Sequence, residues 1–300
     1  MFKGINAIEF NKRFSDNESC YKYLIEFKWK DGYSCTKCCH KESGKGRTYF
    51  YRRCKKCGYD ESVISNTVFH GIKMPILKAF HMIFRISIKK KGMSTIELGT
   101  EVRVEQKTAW LFKRKVQAMM KKDKDDKLNG NVQVDETLVG GHSSAKGRST
   151  QTKSALFVAV EVLADGRTGN IDLQHIESFK SAELKYAIKD AISEDSNIQT
   201  DAFHSYKKLS KGMENITISY SKNGSTMEQI HKQIMQFKKW LRGTHHKCSK
   251  ENLFAYTDEY EYRFNRRNRR KWLFNDIINK MMNQFPHPYN YLKTLCVYST

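Results

Sequence analysis

Two sets of side chains in this 300-residue sequence have the types and spacing to do chemistry. The first is Cys35-Thr-Lys-Cys38 followed, after fifteen intervening residues, by Cys54-Lys-Lys-Cys57. A turn between cysteines two residues apart aims both thiolates at one ion, and two such turns close a tetrahedral zinc site. The flanking residues are Lys, Arg and Gly, so packing of reduced cysteines as small hydrophobes is a poor alternative. Cys39 and His40 follow directly and offer an exchange partner for Cys38. The second set is acidic and basic. Asp135 and Glu136 lie in NVQVDETLVGG (residues 131–141), Asp201 ends a short β-branched run, and Glu228, His231, Lys238 and Arg242 recur on one helical stripe. Converging carboxylates hold hard divalent cations, and nearby cations neutralise phosphate.

Strand residues alternate faces, so Asp135 shares a side with Gln133 and Thr137, while Glu136 points the other way with Val132 and Val134. Carboxylates are depleted in strands, and a solvated edge strand is the plain reading of this stretch alone. The elements around it argue for a different one. Strands are expected over 131–141, 155–163 and 171–176, a helix over 181–192, short strands over 198–200 and 216–220, and a long helix from Ser225 with Met227, Ile230, Ile234, Phe237 and Leu241 on its apolar face. That order is the order of an RNase H-like α/β fold, a mixed sheet with flanking helices, which brings the ends of its first and fourth strands together. Asp135 and Asp201 are then neighbours. Ser225-x-x-Glu228 also reads as a capping box that needs no catalysis, and His231 alone reads as a surface or packing histidine.

The chain carries 54 Lys and Arg against 32 Asp and Glu, net +22, which suits a polyanionic partner such as double-stranded DNA. Residues 1–130 hold 29 basic and 14 acidic side chains, net +15, leaving +7 for the remainder. The front of the chain is thus the expected DNA-gripping part. The ribbon sets Arg52, Arg53 and Lys55 beside Tyr49, Phe50 and Tyr51. A capping box at Ser15 and Glu18 starts a helix before it, and a helix over 76–89 follows it. Next, Ser94 caps a short helix, and Gln106 opens a longer one carrying Lys107, Thr108, Lys113 and Arg114, the pattern of a helix-turn-helix. A helical hairpin that merely packs is the alternative. KKDKDDK (121–127) is charged and aperiodic, which divides the chain into residues 1–72 (N-terminal helix and zinc ribbon), 73–127 (helix-turn-helix) and 128–300 (RNase H-like domain with basic C-terminal helices). Near the C-terminus Arg242, Arg266 and Arg267 accompany an aromatic ladder of Tyr256, Tyr260 and Phe264. No apolar run approaches the ~18 residues of a membrane span, and the N-terminus has no signal-peptide apolar region, so a cytoplasmic, nucleoid-associated protein is expected.

Taken together, SNTVFHGIKMP after the ribbon, KGMSTIELGTEVRVEQKTAW, VDETLVGG, TDAFHSY, RGTHHKCSKENL and DEYEYRFNRR resemble, in that order, the DDE-class insertion-sequence transposases with an N-terminal zinc ribbon. The resemblance implies Asp135 and Asp201 as the first two Mg²⁺ (or Mn²⁺) ligands and Lys238 at the family's lysine position. Glu228 stands where the family often has Asn, and His231 where it often has Glu. A carboxylate is the better donor to Mg²⁺, so Glu228 is the expected third ligand. The implied activity is two-metal DNA cleavage and strand transfer at element ends by a homo-oligomer assembled on DNA. The alternatives are a DNA-binding protein with a degenerate RNase H-like domain and a nuclease without strand transfer.

Overall fold

The protein is described by a computed structural model over residues 2–123, 125–140, 153–220, 225–245 and 248–297, with side chains at all of these but 225 and 294–297. The Ser225 hydroxyl, Gly141, and His246 and Lys247 of the sequence segments above lie outside the described set. The chain divides into two compact units: Met1–Met119 with Arg269–Leu292, and Met120–Asn268 with Lys293–Thr300.

The first unit opens with α1 (Ala7–Arg13) and α2 (Asn17–Lys28). The cap of α2 is one residue later than the sequence suggested. Asp16, not Ser15, accepts the Ser19 N–H at 2.7 Å, and Glu18 pairs with Lys22 at 2.7 Å. A carboxylate is the stronger acceptor for an orphan helix N–H, which is why it takes the position from the hydroxyl. The cysteine-bearing segment forms an antiparallel sheet of β1 (Ser43–Lys45), β2 (Tyr51–Cys54) and β3 (Asp60–Ser62). It is anchored on α2 by a buried Lys28–Glu61 ion pair at 3.1 Å and by Tyr21 stacked on Phe50 at 4.1 Å.

Three helices follow: α3 (Ile76–Ile88), α4 (Thr95–Val102) and α5 (Gln106–Ala118). Ser94 caps α4 by accepting the Glu97 N–H at 3.1 Å. The turn to α5 places Arg103 in the left-handed region at φ 53°. It closes tightly because residue 99 is glycine; a Cβ there would lie 2.9 Å from the Val104 carbonyl oxygen. The core is aromatic. Phe10 stacks on Phe84 at 4.1 Å, and Phe2, Phe14, Tyr23, Phe80 and Phe274 surround the pair edge-on or tilted. Phe274 arrives on the Leu273–Asn283 helix, which also accepts the Val68 N–H at the Met281 carbonyl. Each such ring contributes about 2–3 kcal/mol by burial.

In the second unit a five-stranded mixed sheet runs in the order β6-β5-β4-β7-β8. Its elements are β4 (Asn131–Val139), β5 (Ser154–Val162), β6 (Thr168–Ile176), α6 (Ser181–Ala191), β7 (Asn197–Thr200), α7 (His204–Ser210), β8 (Ile216–Ile218), α8 (Glu228–Thr244) and α9 (Lys250–Asn265). β4, β5 and β6 pair antiparallel, and β7 and β8 join parallel. This is the expected RNase H-like α/β arrangement, with β4 central rather than at an edge. Val132, Val134, Phe157 and Ile198 pack on Leu184, Ile188 and Tyr206 from α6 and α7. On the opposite face Leu156, Val158, Ile171 and Leu173 meet Ile230, Phe237 and Leu241 of α8 and Leu253 of α9. The sheet's β6 edge is covered by side chains of α9. Asn265 accepts the Ile171 N–H and donates to its carbonyl, both at 2.9 Å, and Glu261 accepts the Leu173 N–H at 3.0 Å. Arg267, just beyond α9, donates to the Thr168 carbonyl at 2.6 Å. The strand that would otherwise offer unpaired backbone groups is thereby blunted.

Candidate active site and zinc site

The two cysteine turns have matching backbone geometry. Cys39 (φ 57°) and Gly58 (φ 68°) occupy the left-handed region just after each Cys-x-x-Cys, and their N–H groups donate to the Cys35 and Cys54 carbonyls at 2.9 and 3.0 Å. The ligand sulfurs of Cys35, Cys38, Cys54 and Cys57 all lie within 4.8 Å of one another, with Cys35–Cys57 at 3.6 Å and Cys38–Cys54 at 3.5 Å. A tetrahedron with ~2.3 Å Zn–S bonds has edges of about 3.8 Å, so this set could hold zinc. Burial raises the Cys35 thiol, but the backbone N–H groups of Lys37 and Cys38 outweigh it and bring the thiol down to about 6. Cys38 is shifted the other way: the His40 backbone N–H lowers it, but burial and the neighbouring thiols outweigh that and push it up to about 12. Cys39 is exposed and outside the cluster.

Period-2 alternation places Asp135 as the sequence implied, on the α8 face with Gln133, and sends Glu136 to the α6 and α7 face. β7 runs parallel to β4 with its last couple at Val134–Thr200. One residue further along lie Asp135, still within β4, and Asp201, just past the end of β7. Each carboxylate is oriented by a local backbone donor: the Glu136 N–H at 2.8 Å from Asp135 Oδ1, and the Phe203 N–H at 3.0 Å from Asp201 Oδ1.

The start of α8 is docked onto this point by two glutamines that sequence reasoning did not single out. Gln133 Oε1 accepts the Ile230 N–H at 3.1 Å, and its Nε2 donates to Gln199 Oε1 at 3.0 Å. Both amides also donate to the Thr226 carbonyl, at 3.4 and 3.3 Å. The available signal was a polar residue on a sheet face that buries apolar ones.

Of the acid and imidazole on the first turns of α8, His231 is the one near Asp135, with Nε2 3.6 Å from Oδ2. Glu228 is exposed and holds Lys232 at 2.6 Å. Among the described residues only the four cysteines bring three or more candidate ligand atoms within 4.8 Å of one another. Lys238 is half-buried; burial, then Arg242, lowers its ammonium pKa, and Asp135 opposes them. Asp135 thus has the His231 imidazole at 3.6 Å and the Lys238 ammonium in its electrostatic neighbourhood.

The residues expected to grip DNA divide by exposure. Gln106, Lys107 and Thr108 are exposed at the start of α5, as are Arg53 and Lys55 in the ribbon and Arg242 on α8. Arg52 lies over the Trp29 ring at 4.5 Å and Arg266 over Tyr262 at 3.9 Å. Lys113 and Arg114 do not face solvent as their helix-turn-helix reading required. Lys113 is 2% exposed and donates to the Met93 carbonyl at 2.8 Å, and Arg114 is 5% exposed, bonded to Gln117 and set against the Trp110 ring. They share the buried arc of α5 with Ala109, Phe112 and Val116, and their long stems fill it. Arg267, spent on the Thr168 carbonyl and the Phe264 ring, is likewise a structural arginine in this arrangement.

No curated protein matches the sequence. Residues 127–265, which run from just before β4 to the end of α9 and carry Asp135, Asp201, Glu228, His231 and Lys238, match the family model of the ISXO2-like transposase domain.

Proposed function

We propose that the protein is an insertion-sequence transposase that cleaves DNA at element ends and transfers the strand to a target, with Asp135 and Asp201 as its metal-holding carboxylates. The observation that supports this reading is the parallel pairing of β4 with β7 up to Val134–Thr200, each strand followed by one of the two acids, beside the docked start of α8. Mg²⁺ or Mn²⁺ bound there supplies activation of a water or DNA 3′-hydroxyl and stabilisation of the leaving oxygen. Glu228 completes the set by leaving Lys232, since an exposed ion pair holds it with only ~0–1 kcal/mol. Lys238 neutralises phosphate charge beside Asp135. The ribbon and the exposed start of α5, acting as the recognition helix of a helix-turn-helix, bind element ends. Homo-oligomers on DNA bring two ends together. No helix among the described residues is long and apolar enough to cross a membrane, and cytoplasmic DNA is the proposed place of action.

The deciding experiment offers the purified protein its element ends and a target plasmid with Mg²⁺. Wild type should cleave and join; Asp135→Asn and Asp201→Asn should each lose cleavage by at least ~10³-fold. Equal cleavage by Asp135→Asn removes the assignment, and cleavage without joining leaves a nuclease. The His231–Asp135 approach favours a second reading, in which His231 rather than Glu228 is the third group. Glu228→Gln and His231→Ala separate the two, because the true ligand's variant loses activity and the other's retains it.

A further inference from the structure

Apolar packing gives α8 a face on the sheet but not a height. Its buried stripe of Met227, Ile230, Phe237 and Leu241, with Ile234 partly buried, packs with Leu156, Val158, Ile171 and Leu173. Because the stripe repeats every three or four residues, sliding the helix by one turn, about 5.4 Å, lays apolar side chains on apolar side chains again. The same slide carries His231 away from Asp135, whose Oδ2 lies 3.6 Å from the His231 Nε2.

Hydrogen bonds from the sheet remove that degeneracy. Met227 holds the N-cap position of α8 and makes no side-chain cap hydrogen bond. Gln133 on β4 does that work from 97 residues away, its Oε1 accepting the first-turn N–H of Ile230 at 3.1 Å. Gln133 is in register with Gln199 on β7, to whose Oε1 its Nε2 donates at 3.0 Å, and both amides donate to the Thr226 carbonyl in the turn leading into α8. From β6, Thr168 Oγ1 donates to Gln229 Oε1 at 3.1 Å and accepts from Gln233 Nε2 at 3.3 Å. Such bonds fix a height as well as a face. A one-turn slip would take the Ile230 N–H from the Gln133 oxygen, and Gln133 is only 7% exposed, so water is a poor substitute. Gln133 and Asp135 are two residues apart on one face of β4. The bond that holds Ile230 therefore sets where the next residue, His231, meets Asp135.

We propose that Gln133 is a positioning residue whose amide, braced by Gln199, locks the register of α8 on β4 and so holds the site residues of α8 at Asp135. Its catalytic consequence rests on the reading of Asp135 as a metal-holding carboxylate. The test uses the full chain with its zinc retained and compares Gln133→Leu, which has no acceptor, with Ile188→Val, which loosens the opposite face of the sheet. Without DNA or Mg²⁺, Gln133→Leu should lower exchange protection of the Ile230 amide about tenfold relative to the Phe237 amide and move the His231 ring resonances by more than a linewidth. Ile188→Val should leave both as in wild type. With Mg²⁺ and element ends, Gln133→Leu should lower kcat about 10- to 100-fold while KM stays within about threefold, and Ile188→Val should cleave as wild type does. Gln133→Met, which fills the same space with a flexible chain, should behave as Gln133→Leu does. Gln133→Glu keeps an acceptor at the Ile230 N–H and puts a negative charge at a helix start, so it should hold Ile230 protection within about threefold of wild type. Wild-type Ile230 protection, His231 resonances or kcat in Gln133→Leu and Gln133→Met overturns the lock, as does an equal kcat loss in Ile188→Val. If Asp135→Asn cleaves as wild type does while Gln133→Leu still frees Ile230 and moves His231, the metal assignment has failed and the lock stands.

Discussion

Replacing Asn265 by alanine tests whether α9 is the cover of the β6 edge. The substitution removes two hydrogen bonds of 2.9 Å, one from the Ile171 N–H and one to its carbonyl. Each is worth about 0.5–1.5 kcal/mol net, and a partly buried N–H left without an acceptor costs about 1–3 kcal/mol instead of the net figure. The total is about 2–4 kcal/mol. For a unit of roughly 150 residues that is about 5–15 °C in Tm, at about 2–4 °C per kcal/mol. Thermal unfolding gives the stability change, and native-state hydrogen exchange of the Ile171 amide locates it. Asn265→Asp keeps an acceptor for the N–H but turns a carboxylate towards a carbonyl, and it should lose at least as much. An alanine variant within about 0.5 kcal/mol of wild type, or with unchanged Ile171 protection, would refute the edge-cover argument.

Glu261, accepting the Leu173 N–H on the same edge, has its pKa raised first by burial and then by Asp172. A carboxyl whose folded pKa lies above its unfolded value stabilises below the unfolded pKa and loses that stability as pH rises through the folded one. Glu261→Gln, which keeps the acceptor, should therefore raise Tm at pH 8 and change it less at pH 4; a lower Tm at pH 8 would contradict this. His81 and His287 have pKa values lowered first by burial. Both are neutral in the fold, so the first unit should lose stability as pH falls below about 6.5. The His81→Gln, His287→Gln variant should show a flatter pH–Tm curve there. Lys107→Ala should reduce the salt slope of DNA binding by about one, whereas Lys113→Met should leave that slope unchanged; equal slopes for the two variants would show that exposure on α5 does not decide DNA contact. Chelation of zinc, or Cys54→Ser, should release the β1–β3 sheet, read as loss of exchange protection in residues 51–54 while β4 and β5 keep theirs.

Strand boundaries in the second unit were legible because β-branched runs and period-2 alternation state them openly. Residues 131–141 and 155–163 become Asn131–Val139 and Ser154–Val162, and the opposite facings of Asp135 and Glu136 follow from the same count. The parallel pairing of β4 with β7 was also legible, since a strand-helix-strand crossover leaves little choice of partner. The cysteine site needed only spacing. What was not legible depended on where a long side chain ends rather than on where its Cα lies. Lys113 and Arg114 look like a recognition surface in sequence, yet their heads find a carbonyl and a glutamine inside the helical unit. Arg267 reads as part of a basic tail and instead, like Asn265 beside it, serves strand backbone. Whether Glu228 or His231 turns towards Asp135 is a rotamer question, and i,i+3 spacing puts both on one face.

The aromatic core of the first unit has a consequence for how the chain matures during synthesis. Phe10 and Phe84 can meet early, but Phe274, which packs on both, is made 190 residues after Phe84. At ~5–20 residues per second the wait is ~10–40 s. During that time the second unit can complete its own sheet while the first unit still lacks part of its core. A nascent copy therefore completes the sheet of the second unit before the core of the first, and truncation ahead of Phe274 should leave a second unit that folds attached to a first that does not.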